Sequence, residues 1–506
     1  MSKFDIYPID EFNRKLLNNV HPENWENPTP AKKYNLVVIG AGTAGLISSI
    51  ITASLGGKVA LIEKELMGGD CLNVGCVPSK AILKSAKIAH YLKNASKYGF
   101  DNKEISSNDF PKVMERVRKI RAQISKNDSV KRYTDLGVDV FLGTAKFLNE
   151  NQIEVDNKVL NFKKAIIATG AKAYVPDIPG LKENGYLTNE TIFNLTTLPK
   201  HLLIIGGGPI GCEMAQAFRR LGAKVTIVEY SRLLAREDIE ASEIIKKVFL
   251  NEGINILEHS QVIKVSQTNN EDKIITVKRQ NETVEIVADY ILVAAGRAPN
   301  VKDLNLEAAG IEYDERFGIK VNDFLQTSNK NIYAAGDCCM KWKFTHAADA
   351  AAQIAVQNAL FKGKKRLSSL IMPWCTYTDP EVAHVGMYEE EASEKGDQTT
   401  TYKFDISEND RAQTESETTG FVKVLVKKNT DKILGATIVS SHAGEMINEL
   451  TFAMVNNIGL GKINNVIHPY PTQSEAIKRV AGLYNKSRLT PFVAKLIGWW
   501  LKFQRR

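Results

Sequence analysis

The sequence predicts an α/β protein in which one strand–turn–helix–strand repeat occurs twice and is followed by an α+β domain. Glycine-rich turns follow apolar runs near residues 40 and 206, and beyond about residue 367 strand and helix signals alternate. The 506 residues suffice for about three domains. With 43% hydrophobic and 25% charged residues, the composition is that of a globular protein, which excludes a disordered or fibrous chain.

The first repeat starts at the apolar run Tyr34–Ile39, which predicts a buried strand. The turn that follows carries Gly40, Gly42 and Gly45 in G-x-G-x-x-G spacing and leads into an apolar helix. The next apolar run ends on Glu63. Glycines at this spacing let backbone N–H groups approach a pyrophosphate at the helix N-terminus, and the acid accepts from a ribose hydroxyl. The repeat therefore predicts a Rossmann-like dinucleotide-binding domain.

The second repeat follows the same register 166 residues later. Gly206, Gly208 and Gly211 correspond to the first three glycines, and Glu229 corresponds to the first acid without an insertion. Two complete repeats in register are a far more specific signal than one glycine-rich turn. The sequence therefore predicts two dinucleotide sites.

Further strand ends carry small or acidic residues suited to a nucleotide. Thr169 and Gly170 end the strand that continues the first repeat, and Gly296 ends the strand that continues the second. Asp337 follows a third apolar run. An acid at such a strand end is suited to hydrogen bonding with a ribityl or pyrophosphate group, and a surface turn is the alternative interpretation.

A C-x4-C pair, Cys71 and Cys76, lies between the first repeat and its continuation. No further cysteine or histidine stands nearby to complete a metal site, so no metal is predicted and a redox dithiol fits better. Five residues of regular helix place the side chains too far apart for a disulfide, so the segment must be irregular. A helix N-terminus and Lys80 are expected to lower a thiol pKa.

Together these motifs resemble the class I pyridine nucleotide-disulfide oxidoreductases, a family that includes dihydrolipoamide dehydrogenase and mercuric reductase. The resemblance covers roughly residues 34–482. It implies FAD as cofactor and NADH as reductant, with NADPH as the alternative. The residues implied in FAD binding are Gly40, Gly42, Gly45, Glu63, Thr169, Gly170 and Asp337. Those implied in nicotinamide nucleotide binding are Gly206, Gly208, Gly211 and Glu229, and Gly296 is a further cofactor-binding candidate.

The resemblance also implies catalytic roles. Cys71 is the interchange thiol, Cys76 is the charge-transfer thiol facing the flavin, and Lys80 forms an ion pair with Glu213. Glu213 lies in the first helical turn after the second glycine motif, where the helix dipole favours a carboxylate. Glu229 accepts from a free ribose 2′-hydroxyl and repels a 2′-phosphate, which favours NADH, whereas nearby arginines keep NADPH open.

The sequence departs from the family's disulfide reductases near its end. In the stretch that corresponds to their His-Pro-Thr-x-x-Glu motif, Tyr470 occupies the position of the acid/base histidine. Glu475 occupies the position of the motif's glutamate. Tyrosine there resembles mercuric reductase, but no cysteine pair follows Cys375. Tyrosine is a poor base at neutral pH, so His468, two residues earlier, is the other candidate. The acceptor is therefore open among a disulfide, a metal ion and a quinone-like molecule, the last with the dithiol only modulating the flavin.

The remaining cysteines carry no motif of their own. Cys338 and Cys339 directly follow Asp337, and they are either small buried residues or a second thiol site for a soft metal. Cys212 and Cys375 are expected in the core.

The predicted domains follow the order of these motifs. They are an N-terminal extension (1–33), an FAD-binding domain (34–170 with its return at 297–366), an NAD(P)-binding domain (171–296), an interface domain (367–485) and a basic tail (486–506). The interface domain implies a homodimer whose active sites are each built from two chains.

The net charge of +8 lies after Glu475, where there are eight basic and no acidic residues, six of the eight in the tail. The rest of the chain is formally neutral, which argues against nucleic-acid binding. The polar N-terminus and the absence of a long apolar run predict a cytoplasmic protein. The tail ends in a short basic segment with Trp499 and Trp500. It is either a membrane-surface helix or a helix packed on the dimer.

Overall fold

The computed structural model describes residues 4–268, 272–280 and 282–505. They form two compact units by internal contacts. The first compact unit comprises residues 1–233 and 252–370, and the second comprises residues 234–251 and 371–506. The first unit contains both repeats and the second contains the α+β domain. The domain boundaries predicted inside the first unit stay predictions.

The helices of the described residues are α1 Glu11–Val20, α2 Thr43–Ser54, α3 Gly69–Asn73, α4 Cys76–Lys93, α5 Phe110–Ile124, α6 Val130–Asp135, α7 Pro209–Leu221, α8 Ile239–Asn251, α9 Thr345–Phe361, α10 Glu389–Glu394, α11 Asp410–Glu415, α12 Ala443–Val455, α13 Leu460–Ile463, α14 Glu475–Ser487 and α15 Pro491–Gln504.

The strands are β1 Tyr34–Ile39, β2 Val59–Glu63, β3 Asp139–Leu142, β4 Ala145–Asn149, β5 Gln152–Val155, β6 Lys158–Ile167, β7 Ala171–Ala173, β8 His201–Ile205, β9 Lys224–Val228, β10 Asn255–Leu257, β11 Ser260–Gln267, β12 Lys273–Arg279, β13 Glu282–Ala288, β14 Tyr290–Val293, β15 Arg297–Pro299, β16 Tyr313–Asp314, β17 Gly318–Ile319, β18 Ile332–Ala334, β19 Pro373–Thr376, β20 Glu381–Gly386, β21 Thr399–Asp405, β22 Phe421–Lys427 and β23 Ile433–Ser440.

The first repeat lies in a sheet of order β3-β2-β1-β6-β5-β4, with β18 also paired to β6. β1 runs parallel to β2 and β6, and Ile39 pairs with Ile62 on one side and Ile167 on the other. β18 is parallel to β6, with Ala334 opposite Ile167. Because the carboxyl ends of parallel strands share one edge, the glycine turns after β1, β6 and β18 open at the same edge of the sheet.

The second repeat has the same strand arrangement. Its parallel sheet has the order β10-β9-β8-β14, which matches β3-β2-β1-β6 strand for strand. Ile205 at the end of β8 pairs with Val228 and Val293. A separate antiparallel sheet, β11-β12-β13, accompanies it. The identical register predicted for the two repeats is thus also an identical topology.

The second compact unit is built on the antiparallel sheet β19-β20-β23-β22-β21. β23 is buried along its whole length, and Met446 and Leu450 of α12 and Ile477 and Val480 of α14 complete the core. The segment around α8 belongs to this unit, although it interrupts the second repeat in sequence. Polar contacts join that segment to the sheet through Glu237, which accepts from Trp374 Nε1 at 2.9 Å and from the Tyr388 hydroxyl at 2.7 Å.

Candidate active site

The two glycine turns have the same backbone geometry. Gly40 and Gly206 take positive φ values of +99° and +110°, which favour glycine. A Cβ at Gly45 would lie 1.8 Å from the Gly40 carbonyl oxygen, and one at Gly211 would lie 2.0 Å from that of Gly206. The first and third glycines are therefore required by the fold of the turn itself.

The middle glycine of each turn has open space beside it. A Cβ at Gly208 meets no atom within 4 Å, and at Gly42 the nearest atom is Gly69 Cα at 3.9 Å. These residues are the N-caps of α7 and α2, where free N–H groups and the helix dipole attract an anion. The space above each helix N-terminus therefore fits a dinucleotide pyrophosphate.

The two predicted acids hold the glycine turns together through hydrogen bonds from backbone N–H groups. Oε2 of Glu63 accepts from the Ala41 N–H at 2.6 Å, and Oε2 of Glu229 accepts from the Gly207 N–H at 2.6 Å. Burial raises the pKa of Glu63, opposed by the hydrogen bonds that it accepts from backbone N–H groups. Oε2 of each carboxylate accepts one of these hydrogen bonds and keeps a second lone pair, which can accept from a ribose hydroxyl. The motif alone did not predict this internal bracing of the turns.

The later strand ends also frame open space. Gly170 and Gly296 have positive φ values of +69° and +124°, and a Cβ at either would meet no atom within 4 Å. The Thr169 hydroxyl donates to the Asn300 carbonyl at 2.6 Å, and the Asn300 side-chain amide donates to the Thr169 carbonyl at 2.9 Å. In the structure the Thr169 side chain thus fixes the turn.

Arg297 connects the third strand end to the cysteine segment, a role the sequence did not reveal. Its guanidinium contacts Asp70, donates to the Ala171 carbonyl at 2.6 Å and lies with Nε 3.6 Å from Asp337 Oδ2. Nε is buried and has no hydrogen-bond acceptor within the described ranges. Burial raises the pKa of Asp337, and Arg297 and Lys343 oppose that rise. The sequence signal that could have indicated this role is the position of the arginine directly after Gly296.

The cysteine segment is irregular, as the five-residue spacing predicts. α3 ends at Asn73 and α4 begins at Cys76, so Val74 and Gly75 break the helix between the two cysteines. A Cβ at Gly75 would lie 2.8 Å from the Asp70 carbonyl oxygen, and one at Gly69 would lie 2.7 Å from Gly42 Cα. Glycines therefore both permit the break and pack this segment against the first glycine turn.

The environments of the two sulfurs differ in a way that separates their charges. Cys76 begins α4 and is exposed, whereas Cys71 is half-buried. The hydrogen bond from Cys71 lowers the pKa of Cys76 to about 6, and Thr345 and Lys80 add to this lowering. The same hydrogen bond and burial raise the pKa of Cys71. In the dithiol the proton therefore stays on Cys71 and Cys76 is the thiolate.

Thr345 is a site residue that the sequence did not indicate. Its Oγ1 lies 3.3 Å from Cys76 Sγ, although 269 residues separate the two positions. It starts α9, which packs in the same compact unit. No motif spacing reveals such a contact.

Lys80 and Glu213 form the ion pair that the resemblance implies. Lys80 Nζ on α4 lies 2.8 Å from Glu213 Oε2 on α7. The Glu213 side chain is 6% exposed and the Lys80 side chain 38% exposed. The pair therefore joins the cysteine helix to the helix of the second repeat.

The candidate acid/base residues lie in the second compact unit. The Tyr470 side chain is exposed and its hydroxyl donates to Asp410 Oδ2 at 2.9 Å, which raises the pKa of Tyr470. His468 has a buried side chain whose Nε2 lies 3.0 Å from Glu449 Oε2. The two side chains thus lie in different environments. An extended segment would direct them to one side, but residues 467–470 form no strand. Glu475 pairs with Arg479 at 2.9 Å.

The other cysteines lie in packed surroundings. Cys338 is fully buried in the core of the first repeat, and Cys339 packs against that core. Cys212 is buried, and its thiol donates to the Gly207 carbonyl at 3.3 Å. Cys375 is half-buried beside the core of the second unit. These positions favour packing residues over a second thiol site.

One group of metal-type ligands exists among the described residues. Donor atoms of Glu415, Glu417 and His442 lie within 4.8 Å of one another. Glu415 already accepts from Arg411 at 2.6 Å and from Gln473 at 2.8 Å, as expected for a surface polar network. Within residues 4–268, 272–280 and 282–505, no helix combines the length and apolar character needed to cross a bilayer.

Two family models together match most of the chain. The model of pyridine nucleotide-disulphide oxidoreductases matches residues 34–352. The model of the dimerisation domain of the same oxidoreductases matches residues 372–481. The first match spans both glycine turns, the cysteine segment, Lys80 and Glu213, and the second spans the sheet of the second compact unit.

Relatives that are similar over most of their length belong to the same class of oxidoreductases. A mercuric reductase from Lysinibacillus sphaericus is 35% identical over 491 residues, which cover 95% of this chain and 88% of the relative. A dihydrolipoyl dehydrogenase from Bacillus subtilis is 35% identical over 469 residues, covering 89% and 98%. The Cu(II) complex of the HOCl-induced flavoprotein disulfide reductase RclA from Escherichia coli is a structural neighbour with TM-score 0.78 and 30% identity, covering 88% and 98%.

Proposed function

The chain belongs to the pyridine nucleotide-disulphide oxidoreductase family, and on that premise we propose that it passes electrons from NADH to the Cys71–Cys76 pair and on to a disulfide substrate. It is an FAD-dependent enzyme that uses NAD(P)H and acts on sulfur groups. The choice of NADH, the roles of individual residues and the acceptor are the proposed part.

The observation that carries the proposal is the asymmetry of the dithiol. Cys76, with a pKa lowered to about 6, is held by Thr345 and lies near Lys80, whereas Cys71 keeps its proton. A carrier dithiol needs one sulfur that holds negative charge and one that exchanges with substrate. Cys76 suits the first role and Cys71 the second, as the resemblance implies.

The two turns supply the nucleotide sites. FAD, when bound, relays an electron pair from the nicotinamide to the disulfide. We assign its binding to Gly40, Gly42, Gly45, Glu63, Thr169, Gly170 and Asp337. We assign the nicotinamide nucleotide to Gly206, Gly208, Gly211, Glu229 and Gly296. The open space beside Gly42 and Gly208 supports this assignment, because backbone N–H groups there remain accessible to phosphate.

Glu229 supports NADH over NADPH. Its carboxylate is fixed by the N–H groups of Gly207 and Ser231, at 2.6 and 2.8 Å, so it cannot swing away from an incoming ribose without losing both bonds. A fixed carboxylate accepts from a 2′-hydroxyl and repels a 2′-phosphate. Arg232 and Arg236 follow closely in sequence and keep NADPH as the alternative.

The sulfur chemistry balances with a disulfide acceptor. Two electrons and one proton open the Cys71–Cys76 disulfide and leave a Cys71 thiol beside a Cys76 thiolate. Deprotonated Cys71 attacks the substrate disulfide, forms a mixed disulfide and releases one substrate thiol. Cys76 then attacks the Cys71 sulfur, restores the pair and releases the second thiol. The sum is NADH, one proton and one disulfide giving NAD⁺ and two thiols.

A base must accept the proton of the Cys71 thiol before Cys71 attacks the substrate. We assign His468 to this role ahead of Tyr470, because Asp410 raises the pKa of Tyr470, so that even less of this side chain is deprotonated and able to accept a proton at neutral pH. His468 is held at 3.0 Å by Glu449, an arrangement that orients an imidazole for proton transfer. We propose that the base comes from the partner subunit of a homodimer. Exposed apolar residues in the second compact unit, Phe452, Val455 and Ile467, support a dimer interface there.

A metal ion is the second candidate acceptor. Relatives include mercuric reductases, and Tyr470 stands where the resemblance places a mercuric-reductase tyrosine. A quinone-like molecule is the third, with the dithiol only modulating the flavin. The proposed location is the cytoplasm, where the thiols stay reduced. We also propose that the family's FAD-binding and NAD(P)-binding domains divide the first compact unit near residues 170 and 296.

To test this, the holoenzyme is reduced with NADH in the absence of oxygen and mixed with a small disulfide, Hg(II) or a quinone. The rate at which the enzyme is reoxidised is then measured. We expect the disulfide to reoxidise the wild type fastest, and Cys71→Ser to abolish this step while NADH still reduces the flavin. If Hg(II) reoxidised the wild type fastest and this reaction were lost in Cys71→Ser, the acceptor would be a metal ion and not a disulfide. Equal quinone turnover in wild type and Cys71→Ser, with no disulfide turnover, would contradict it.

A further inference from the structure

The final helix, α15, has no buried residue along its whole length. It begins cleanly, because Thr490 caps it by accepting from the Val493 N–H at 3.3 Å and Pro491 occupies the first turn. Phe492, Trp499 and Trp500 are 75%, 64% and 52% exposed. Isolated helices of this length are marginal in water, so α15 needs a surface to pack on.

The cations and the apolar side chains of α15 occupy opposite sides. At about 100° per residue, Lys495, Lys502 and the C-cap residue Arg505 fall within an arc of about 80°. The large apolar residues outside that arc are Phe492, Leu496, Ile497, Trp499, Trp500, Leu501 and Phe503. The ring of Phe503 stacks with those of Trp499 and Trp500 at centroid distances of 6.1 and 6.0 Å. These three rings therefore form one aromatic surface on the apolar side.

We propose that α15 lies in the plane of an anionic membrane surface, with its aromatic side at the boundary between headgroups and acyl chains. A short helix with a basic polar face and tryptophan on the other side is typical of interfacial binding. Tryptophan in particular favours the membrane–water interface. At 14 residues α15 is about 21 Å long, too short to span a hydrocarbon core of about 30 Å.

Charge favours a lipid surface over a second copy of the chain as the occupant. From residue 476 to the end there are eight basic and no acidic residues, and the preceding residues are formally neutral. A symmetric contact between two copies of α15 would bring two such basic segments together. An anionic bilayer instead attracts each basic residue near its surface.

The first test is sedimentation of the full-length holoenzyme with lipid vesicles. Phosphatidylcholine vesicles are compared with vesicles containing about a third phosphatidylglycerol. We expect binding to the anionic vesicles alone, weakened several-fold at about 1 M salt, where charges are screened within about 3 Å. Failure of the full-length protein to bind anionic vesicles would overturn the proposal.

Matched variants separate this helix from the rest of the surface. Lys495→Gln/Lys502→Gln should weaken binding to anionic vesicles by about 10- to 30-fold, at about 1 kcal/mol per lysine. The control Lys364→Gln/Lys428→Gln removes the same charge at exposed positions elsewhere and should change binding less than about twofold. Equal losses in the two variants would overturn the assignment to α15.

A final variant tests the second copy as occupant. Trp499→Ser/Trp500→Ser should abolish vesicle binding and leave the mass in solution and the melting temperature unchanged, because neither side chain is buried. A lower mass by light scattering, together with wild-type protein that ignores vesicles, would show that another copy covers α15 and would contradict the membrane proposal.

Discussion

At the scale of residues, the sequence predicted site residues that belong to a motif. It did not predict site residues that come from segments distant in the chain. The cysteines, Lys80 and Glu213 lie together in one compact unit as the resemblance implies, with the ion pair at 2.8 Å. Thr345 and Arg297 were missed, because the first lies 269 residues from Cys76 and the second 227 residues from Asp70. Motif spacing carries no information about contacts made only by the tertiary fold.

Thr345 tests the account of the Cys76 thiolate. Thr345→Val removes the hydroxyl 3.3 Å from Sγ, so we expect the pKa of Cys76 to rise from about 6. A hydrogen bond to a charged group corresponds to a rise of about one pH unit or more. In the reduced protein the alkylation rate of Cys76 should then climb at higher pH. Thr345→Ser keeps the hydroxyl and serves as control; an unchanged profile in Thr345→Val would contradict the contact.

The Lys80–Glu213 pair gives two predictions of opposite sign. Lys80→Met removes a positive charge that stabilises the Cys76 thiolate and should raise the pKa of Cys76. Glu213→Gln removes a negative charge that destabilises it and should lower that pKa. The same alkylation profile measures both. Shifts in one direction for the two variants would show that the pair acts on Cys76 through packing and not through charge.

At the scale of elements, apolar runs and glycine turns predicted the strands well. β1 has the bounds of the predicted run Tyr34–Ile39, because a buried strand of a parallel sheet is a continuous apolar run in the sequence. The break between α3 and α4 also followed from geometry. The grouping of α8 with the second unit did not, because it depends on contacts such as Lys423 with Asp238 at 2.9 Å.

Substitutions at two glycines of the second turn should have different effects, one on nucleotide binding and the other on folding. Gly208→Ala places a methyl group where no atom lies within 4 Å, so stability should change by less than about 1 kcal/mol while the Kd for NADH rises. Gly211→Ala puts Cβ 2.0 Å from the Gly206 carbonyl oxygen and should cost several kcal/mol, on the order of 3. Thermal melting and NADH titration measure both; tight NADH binding by Gly208→Ala would contradict the site.

At the scale of the whole molecule, the two family matches agree with the two repeats and the α+β domain that the sequence predicted. The acceptor was not predictable, because relatives that share this fold are named for different substrates. The assembly was predicted only through the resemblance, because the interface of a homodimer leaves no periodic signal in one chain.

A dimer with shared active sites predicts complementation between two inactive variants. Cys76→Ser lacks the dithiol and His468→Gln lacks the proposed base, so each homodimer should have little disulfide reductase activity. Mixed dimers join an intact dithiol from one chain to an intact His468 from the other and should regain activity. Tyr470→Phe should retain most activity, because the pKa of Tyr470 is raised. Complementation by Tyr470→Phe in place of His468→Gln would reassign the base.

The central claim is that the Cys71–Cys76 pair carries the electrons. It is tested by adding one equivalent of NADH per chain to the oxidised holoenzyme without oxygen and alkylating the thiols for mass spectrometry. We expect Cys71 and Cys76 to become labelled together and in proportion to the NADH consumed, whereas labelling of the other cysteines should not depend on NADH. Consumption of NADH and reduction of an acceptor while the pair stays an unlabelled disulfide would contradict it.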